Sequence, residues 1–292
     1  MAGTRVAVDS ELATWLRAQA WPEDFDRATR HVMEGAGKAV RPALVFAVAE
    51  TLSGNSSLSS SSVRRLSLAI ELMHTYSLVH DDLPAMDDDA FRRGRPTLHV
   101  LWNDAFAVLA GDALLTASFQ CLGEAFSSEP EKIARALAVL SRAAGVPGMI
   151  GGQWLDMSSE GRTGLSMEIL QTIHFQKTGA LLAASALLGA LKTLSLAEFV
   201  KIENEMEKWG QDLGLLFQMV DDLLDATATR AVLGKTPGKD AAQSKFTYVS
   251  QLGKDELTSR IRKLSKSLQA PRFVAESALL SQLVTFIADR SS

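Results

Sequence analysis

Apolar residues recur at helical spacing along most of this chain, and that periodicity limits its possible folds more than any other feature. Few runs alternate β-branched with polar residues, and 8 prolines punctuate the chain, so a sheet is not expected. Helices are expected over 11–20 behind Ser10 as N-cap, from Pro22 to Met33, and over 42–52, 63–80, 97–126 and 130–144. Further helices are expected over 167–191, 196–226, 255–269 and 274–290. The Ser-rich stretch 53–62, the glycines of 145–152 and the polar stretch 235–245 read as links. With 292 residues, 47% of them hydrophobic, the chain can bury a large core, and one all-α domain over 1–292 is the expectation.

Charge and composition narrow the function classes. A net charge of −4 argues against a nucleic-acid binder that relies on a global basic surface. A single cysteine, Cys121, excludes an intramolecular disulfide framework and fits a reducing compartment. The first fifteen residues contain no long apolar core, so a secretory signal is not expected. The longest uninterrupted apolar run, 179–191, lies between Lys177 and Lys192 and is shorter than the roughly 18 residues a membrane span needs. A cytoplasmic protein without a membrane span is the expectation.

Chemistry concentrates in 74–99. Asp81, Asp82, Asp87, Asp88 and Asp89 lie close together and are followed at once by Arg92, Arg93 and Arg95. Carboxylates suit a hard divalent cation such as Mg²⁺, and arginine forks suit phosphate oxygens, so acid feeding into base suggests a cation together with a polyanion. A second acidic group, Asp221, Asp222 and Asp225, sits in an apolar run. On a helix Asp221 and Asp225 share a face, and like charges at that spacing repel unless a cation compensates them. A solvated acidic loop would explain the first group alone, but it does not explain two groups each set in apolar sequence.

The paired motifs DDLPAMD and DDLLD resemble the two aspartate-rich motifs of the trans-isoprenyl diphosphate synthases, with the closest likeness to farnesyl diphosphate synthase of the bacterial type. The likeness runs over about 35–248. It implies an all-α bundle of the isoprenoid synthase type with a central active-site cavity, three Mg²⁺ ions and a homodimer. It places metal ligands at Asp81, Asp82 and Asp87 and at Asp221, Asp222 and Asp225. A step from Asp81 to Asp87 turns about 240° on a regular helix, so Pro84 must end or kink the helix if Asp87 is to return; Asp88 is the alternative on helical geometry. Asp88 and Asp89 are otherwise read as solvated loop charge.

The resemblance also implies substrate contacts. Lys38 and Arg41 of Gly37-Lys38-Ala39-Val40-Arg41-Pro42, with His74 and Arg93, match the residues that hold isopentenyl diphosphate. Ala39 stands where the family usually has arginine. Arg92, Lys235 and Lys245 match residues on the allylic diphosphate. Lys177, Thr178 and Gln218 match the groups that face the allylic cation. The Gly151-Gly152-Gln153-Trp154-Leu155-Asp156 segment also matches, and is read as helix packing. Tyr76, with Ser77 after it, matches the position that limits chain length, and a large aromatic there resembles the fifteen-carbon pattern. The implied reaction joins isopentenyl diphosphate head to tail with dimethylallyl or geranyl diphosphate, giving farnesyl diphosphate and pyrophosphate. Geranylgeranyl diphosphate is the alternative product. A terpene cyclase would not need the second diphosphate pocket of Lys38, Arg41 and Arg93, and a catalytically silent partner subunit would be expected to lose acidic motifs that are intact here.

Overall fold

The structure, a computed structural model, describes residues 2–34, 37–162, 165–227, 247–274 and 277–289. Helices dominate. In chain order they are α1 (Ala2–Ala18), α2 (Glu23–Met33), α3 (Val40–Ser53), α4 (Ser61–Asp81), α5 (Leu98–Leu101), α6 (Asp104–Ala125), α7 (Pro130–Ala144) and α8 (Met149–Ser159). Next come α9 (Met167–His174), a π-helical turn at Phe175–Gly179, α10 (Ala180–Thr193) and α11 (Leu196–Thr227). Among the described residues α12 (Tyr248–Leu252), α13 (Lys254–Leu268) and α14 (Ala278–Ala288) follow. Among the described residues the sheet that the sequence argues against is represented by one small antiparallel hairpin, β1 (Phe91–Arg92) with β2 (Arg95–Pro96). Arg93 and Gly94 form its two-residue turn, both with positive φ (53° and 77°), which is the left-handed geometry that matches strand twist.

Several boundaries differ from the expectation: the stretch 145–152, read as a link, contains the start of α8 with Gly151 and Gly152 helical, and the last helix starts at Ala278 rather than at 274. Helix α1 begins at Ala2, well ahead of Ser10. The segment 97–126 is broken at Trp102 and Asn103, because the Asn103 side chain accepts the Phe106 backbone N–H and starts a new helix there. The segment 167–191 is interrupted by the π-turn.

The described residues form two compact units, one within 1–46 and 56–134, the other within 47–55 and from 135 on. In the first, α4 and α6 pack along each other, with α1, α2 and α5 around them. Small residues allow the close approach: Ala69, Ala110, Gly111 and Ala117 are buried, and the Ser118 hydroxyl donates to the Ala69 carbonyl at 2.7 Å. Ser60 caps α4 by accepting the Val63 N–H. In the second unit α11 is the axis, with α10, α13, α14 and the π-turn against it. Its buried face carries Leu213, Leu216, Met219, Val220 and Leu223. The Trp209 indole N–H donates to the Leu268 carbonyl at 3.0 Å, fastening α13 to α11.

Two helical segments are apolar over a longer stretch than the run at 179–191. Asp104–Ala125 reaches a mean hydropathy of 1.5, and Pro130–Ser159 reaches 1.3, so by length and composition each could cross a membrane. In this fold α4 covers one face of α6, and the turn at 145–148 divides the second segment into α7 and α8.

Candidate active site

The first acidic motif sits where α4 stops. Pro84 has no N–H to continue the helix, and the chain folds back on the helix end. The Asp87 N–H donates to the Asp81 carbonyl at 2.8 Å, and the Asp89 N–H to the Asp82 carbonyl at 3.2 Å. Asp88 supplies the left-handed bend, with φ of 51°. The loop therefore brings Asp87 back beside Asp81, and Asp87 and Asp88 are exposed.

Asp82 has a different role. It is 5% exposed, and the Arg92 guanidinium binds it through Nε at 2.6 Å. Burial pushes the Asp82 carboxyl up to about 6, against the pull of Arg92. Asp89 is drawn in as well, 3.9 Å from Arg92, and the Thr97 hydroxyl donates to its carbonyl at 2.8 Å. Asp89 is thus part of the ion-pair cluster, a correction to its reading as solvated charge. Arg95, which had no assigned role, donates to the carbonyls of His31 (2.9 Å) and Glu34 (2.8 Å), and so ties the hairpin to the end of α2.

The residues matched to the homoallylic diphosphate also converge within this unit. The left-handed turn projects Arg93 so that its guanidinium lies over Gly37, where a Cβ would come 3.0 Å from Nη2. Lys38 is exposed and Arg41 half-buried at the start of α3. His74, half-buried on α4, is held neutral: burial lowers its pKa well below the ordinary value, and Arg41, Arg93 and Arg92 lower it further. Beneath them lies Glu71, 3% exposed, a residue that the motif reading missed. Burial raises its pKa, while Arg41, Arg5 and Arg93 oppose the rise. An acid one helical turn before His74 in an apolar run was the available sequence signal.

Tyr76 is 5% exposed, its ring edge-on to His80 at 5.8 Å. The cavity beside the hairpin is lined from α4 by Thr75, Leu78, Val79 and Asp82, a different face of the helix. Ser77 donates to the His74 carbonyl at 2.8 Å.

In the second unit the π-turn carries Lys177 and buried Thr178. Two glycines explain how it is held: a Cβ on Gly152 of α8 would meet the Lys177 backbone nitrogen at 2.2 Å, and one on Gly214 of α11 would meet Gly179 Cα at 2.3 Å. Such single π-turns occur often at functional positions. The Lys177 ammonium donates to Asp156 Oδ2 at 2.6 Å, so the Gly152–Asp156 segment contributes a charge partner as well as packing. On α11, Gln218 and Asp221 are half-buried, and Asp225 is exposed one turn beyond Asp221. Asp222 Oδ2 accepts the Tyr248 N–H at 2.7 Å, so one of its oxygens is committed to the start of α12. Lys235 and Lys245 lie outside the described residues.

Among the described residues no group of three or more His, Cys, Asp or Glu is placed so that it could by itself hold a metal ion. The arrangement suits Mg²⁺ nonetheless. Each motif offers paired carboxylates, and this ion is commonly held by one or two carboxylates with substrate phosphates and water completing the shell.

Comparisons with known proteins bear on the family and the fold. The model of the polyprenyl synthetase family matches residues 22–284, through both units. The heterodimeric geranylgeranyl pyrophosphate synthase large subunit 1 of Arabidopsis thaliana, a chloroplastic protein, is 39% identical over 279 residues, covering 93% of this chain and 73% of that protein. A geranyltransferase from Helicobacter pylori, solved with magnesium and isoprenyl diphosphate, is 31% identical with a TM-score of 0.81, covering 98% of this chain and 95% of that one. An FPP/GFPP synthase from Zymomonas mobilis is 30% identical with a TM-score of 0.82, over 100% and 97%. With its family match, its helical-bundle fold and both acidic motifs in place, the chain belongs to the polyprenyl synthetase family, the trans-isoprenyl diphosphate synthases.

Proposed function

We propose that this prenyl diphosphate synthase condenses isopentenyl diphosphate with dimethylallyl and then geranyl diphosphate and stops at farnesyl diphosphate. Arg93, Arg41, Lys38 and neutral His74 hold the homoallylic diphosphate, His74 by a single N–H. Arg92 exchanges its bond to Asp82 for the allylic diphosphate, aided by Lys235 and Lys245. Asp81, Asp82, Asp87, Asp221, Asp222 and Asp225 would hold Mg²⁺, three ions by family likeness; when bound, the metal supplies Lewis acidity to the leaving diphosphate. Departure of that group leaves an allylic cation, which the double bond of isopentenyl diphosphate attacks; the proton then lost passes to the released diphosphate. Thr178, the Lys177 carbonyl and Gln218 stabilise the cation while the pocket excludes water.

The observation that supports the fifteen-carbon reading is that Tyr76, the large aromatic at the position matched to chain length, is buried on α4 with its ring against His80. The second reading, a twenty-carbon product, is favoured by the names of the curated relatives, which are geranylgeranyl pyrophosphate synthases. A product assay with isopentenyl diphosphate, Mg²⁺ and five-, ten- or fifteen-carbon starters decides between them: extension of the fifteen-carbon starter removes the farnesyl reading. No product from any starter, in folded protein, would move the reading to a cyclase or a silent subunit.

A cytoplasmic homodimer completes the proposal. It is supported by the lone buried Cys121 and by Val100, Leu101, Val108 and Leu109, which are 41–55% exposed on α5 and α6. Light scattering on the purified chain tests the dimer; a monomer that assembles only with a second polypeptide would replace it with a heteromer.

A further inference from the structure

His80 stands immediately before the first acidic motif and has no part in the chemistry above. Its surroundings are built closely around it. The ring lies on Gly111 of α6, where a Cβ would sit 2.0 Å from Nε2 and 2.3 Å from Cδ2, so only glycine leaves room for the imidazole. Its Nε2 lies 3.0 Å from the Val108 carbonyl. A carbonyl only accepts, so Nε2 carries the hydrogen and donates it, which fastens α4 to α6. Asp112 Oδ1 stands 3.9 Å from the same nitrogen. The edge of the ring meets Tyr76, one helical turn earlier on the same face of α4, with interplanar angle 85°.

We infer that His80, seated on Gly111 and clipped to the Val108 carbonyl, is a positioning residue that locks the Tyr76 ring across the seam between α4 and α6 and so fixes product length. The inference rests on the reading of Tyr76 as the stop and adds what holds the stop in place. A tyrosine ring has staggered alternatives for its first torsion, and a growing polyprenyl chain pressing on an unsupported ring selects the one that yields. With His80 in place that rotation meets the imidazole, and the imidazole cannot retreat because α6 lies directly behind it. Chain length is then set by a three-residue device, Tyr76, His80 and Gly111, of which two members lie on α4 and one on the facing helix.

The test uses the full chain with isopentenyl diphosphate, Mg²⁺ and geranyl diphosphate, reading product length by chromatography after dephosphorylation. Tyr76→Ala, His80→Ala, His80→Gln and Gly111→Ala are compared with wild type, each checked for folding by circular dichroism. His80→Ala and Gly111→Ala are expected to raise the ratio of twenty- to fifteen-carbon product about tenfold, the ratio that about 1.4 kcal/mol of lost discrimination produces. His80→Gln keeps a side-chain N–H for the Val108 carbonyl and is expected to restore most of the wild-type ratio. In the Tyr76→Ala background, His80→Ala is expected to add nothing. Wild-type product length from His80→Ala and Gly111→Ala, with Tyr76→Ala making longer product, overturns the role of His80 and leaves the stop intact. Unchanged length in Tyr76→Ala sinks the stop itself, and this inference with it. Folded but inactive His80→Ala and Gly111→Ala would overturn it too, by placing His80 in the chemistry.

Discussion

At the scale of single residues, identical side chains in one motif have different surroundings. Asp87 and Asp88 are exposed at the loop, whereas Asp82 is buried against Arg92. Removing one partner of a buried ion pair strands the other charge, so Arg92→Gln is expected to cost about 3 kcal/mol of stability, read as a lower urea midpoint at unchanged slope. A midpoint within error of wild type would mean that Asp82 does not depend on Arg92. The thiol of Cys121 is pushed up to about 12, with burial the largest cause. It is expected to resist a thiol reagent in folded protein and to react promptly in urea, since only the thiolate is nucleophilic. Residue type and order revealed Lys38, Arg41, His74 and the aspartates. Glu71 was signalled only by standing one turn before His74 in an apolar run, and the pairing of Asp156 was not legible at all, because its partner Lys177 lies on a later segment.

At the scale of elements, the π-turn at Phe175–Gly179 shows how glycines shape the site. Its sequence reads as one long helix with tolerated glycines, and local periodicity holds no hint of the extra residue per turn. The cause lies on α8 and α11, whose Gly152 and Gly214 let backbone touch backbone. Gly152→Ala and Gly214→Ala are each expected to destabilise the chain by about 1–3 kcal/mol through overpacking, and to lower kcat because Lys177 and Thr178 move with the turn. Gly123→Ala on α6 is the control: nothing lies within 4 Å of its Cβ position, so it should hold or slightly raise the melting temperature. Equal effects from all three would mean that helix propensity, rather than contact, governs these positions.

At the scale of the whole molecule, folding stability carries a pH signature. His174 lies against Tyr248, with Asp156 and Lys177 the charges acting on it, and burial lowers its pKa to about 4. An unfolded histidine titrates near 6.5, so between about 6.5 and 4 the unfolded chain binds the proton that the folded chain refuses. Its contribution is complete above 6.5 and falls as pH drops toward 4, by about 3 kcal/mol. His74 acts in the same direction, whereas Asp82 and Glu71, whose pKa values are raised, act in the opposite one. The His174 share is therefore isolated by difference: the stability gap between wild type and His174→Gln should shrink by about 3 kcal/mol from pH 7 to pH 4, and a constant gap would show that His174 is not held neutral. Taken as a chain alone, the residues already specified the helical class, the two acidic motifs and the order of the cationic ones, because helical period and side-chain chemistry are properties of neighbours in sequence. Packing alone settled that Arg92 rests on Asp82, that the Tyr76 ring meets His80 where His80 lies on Gly111, and that a π-turn carries Lys177. Each of these depends on how closely two segments remote in sequence can approach, and that distance is set by a glycine, a buried charge or a ring contributed by the other segment.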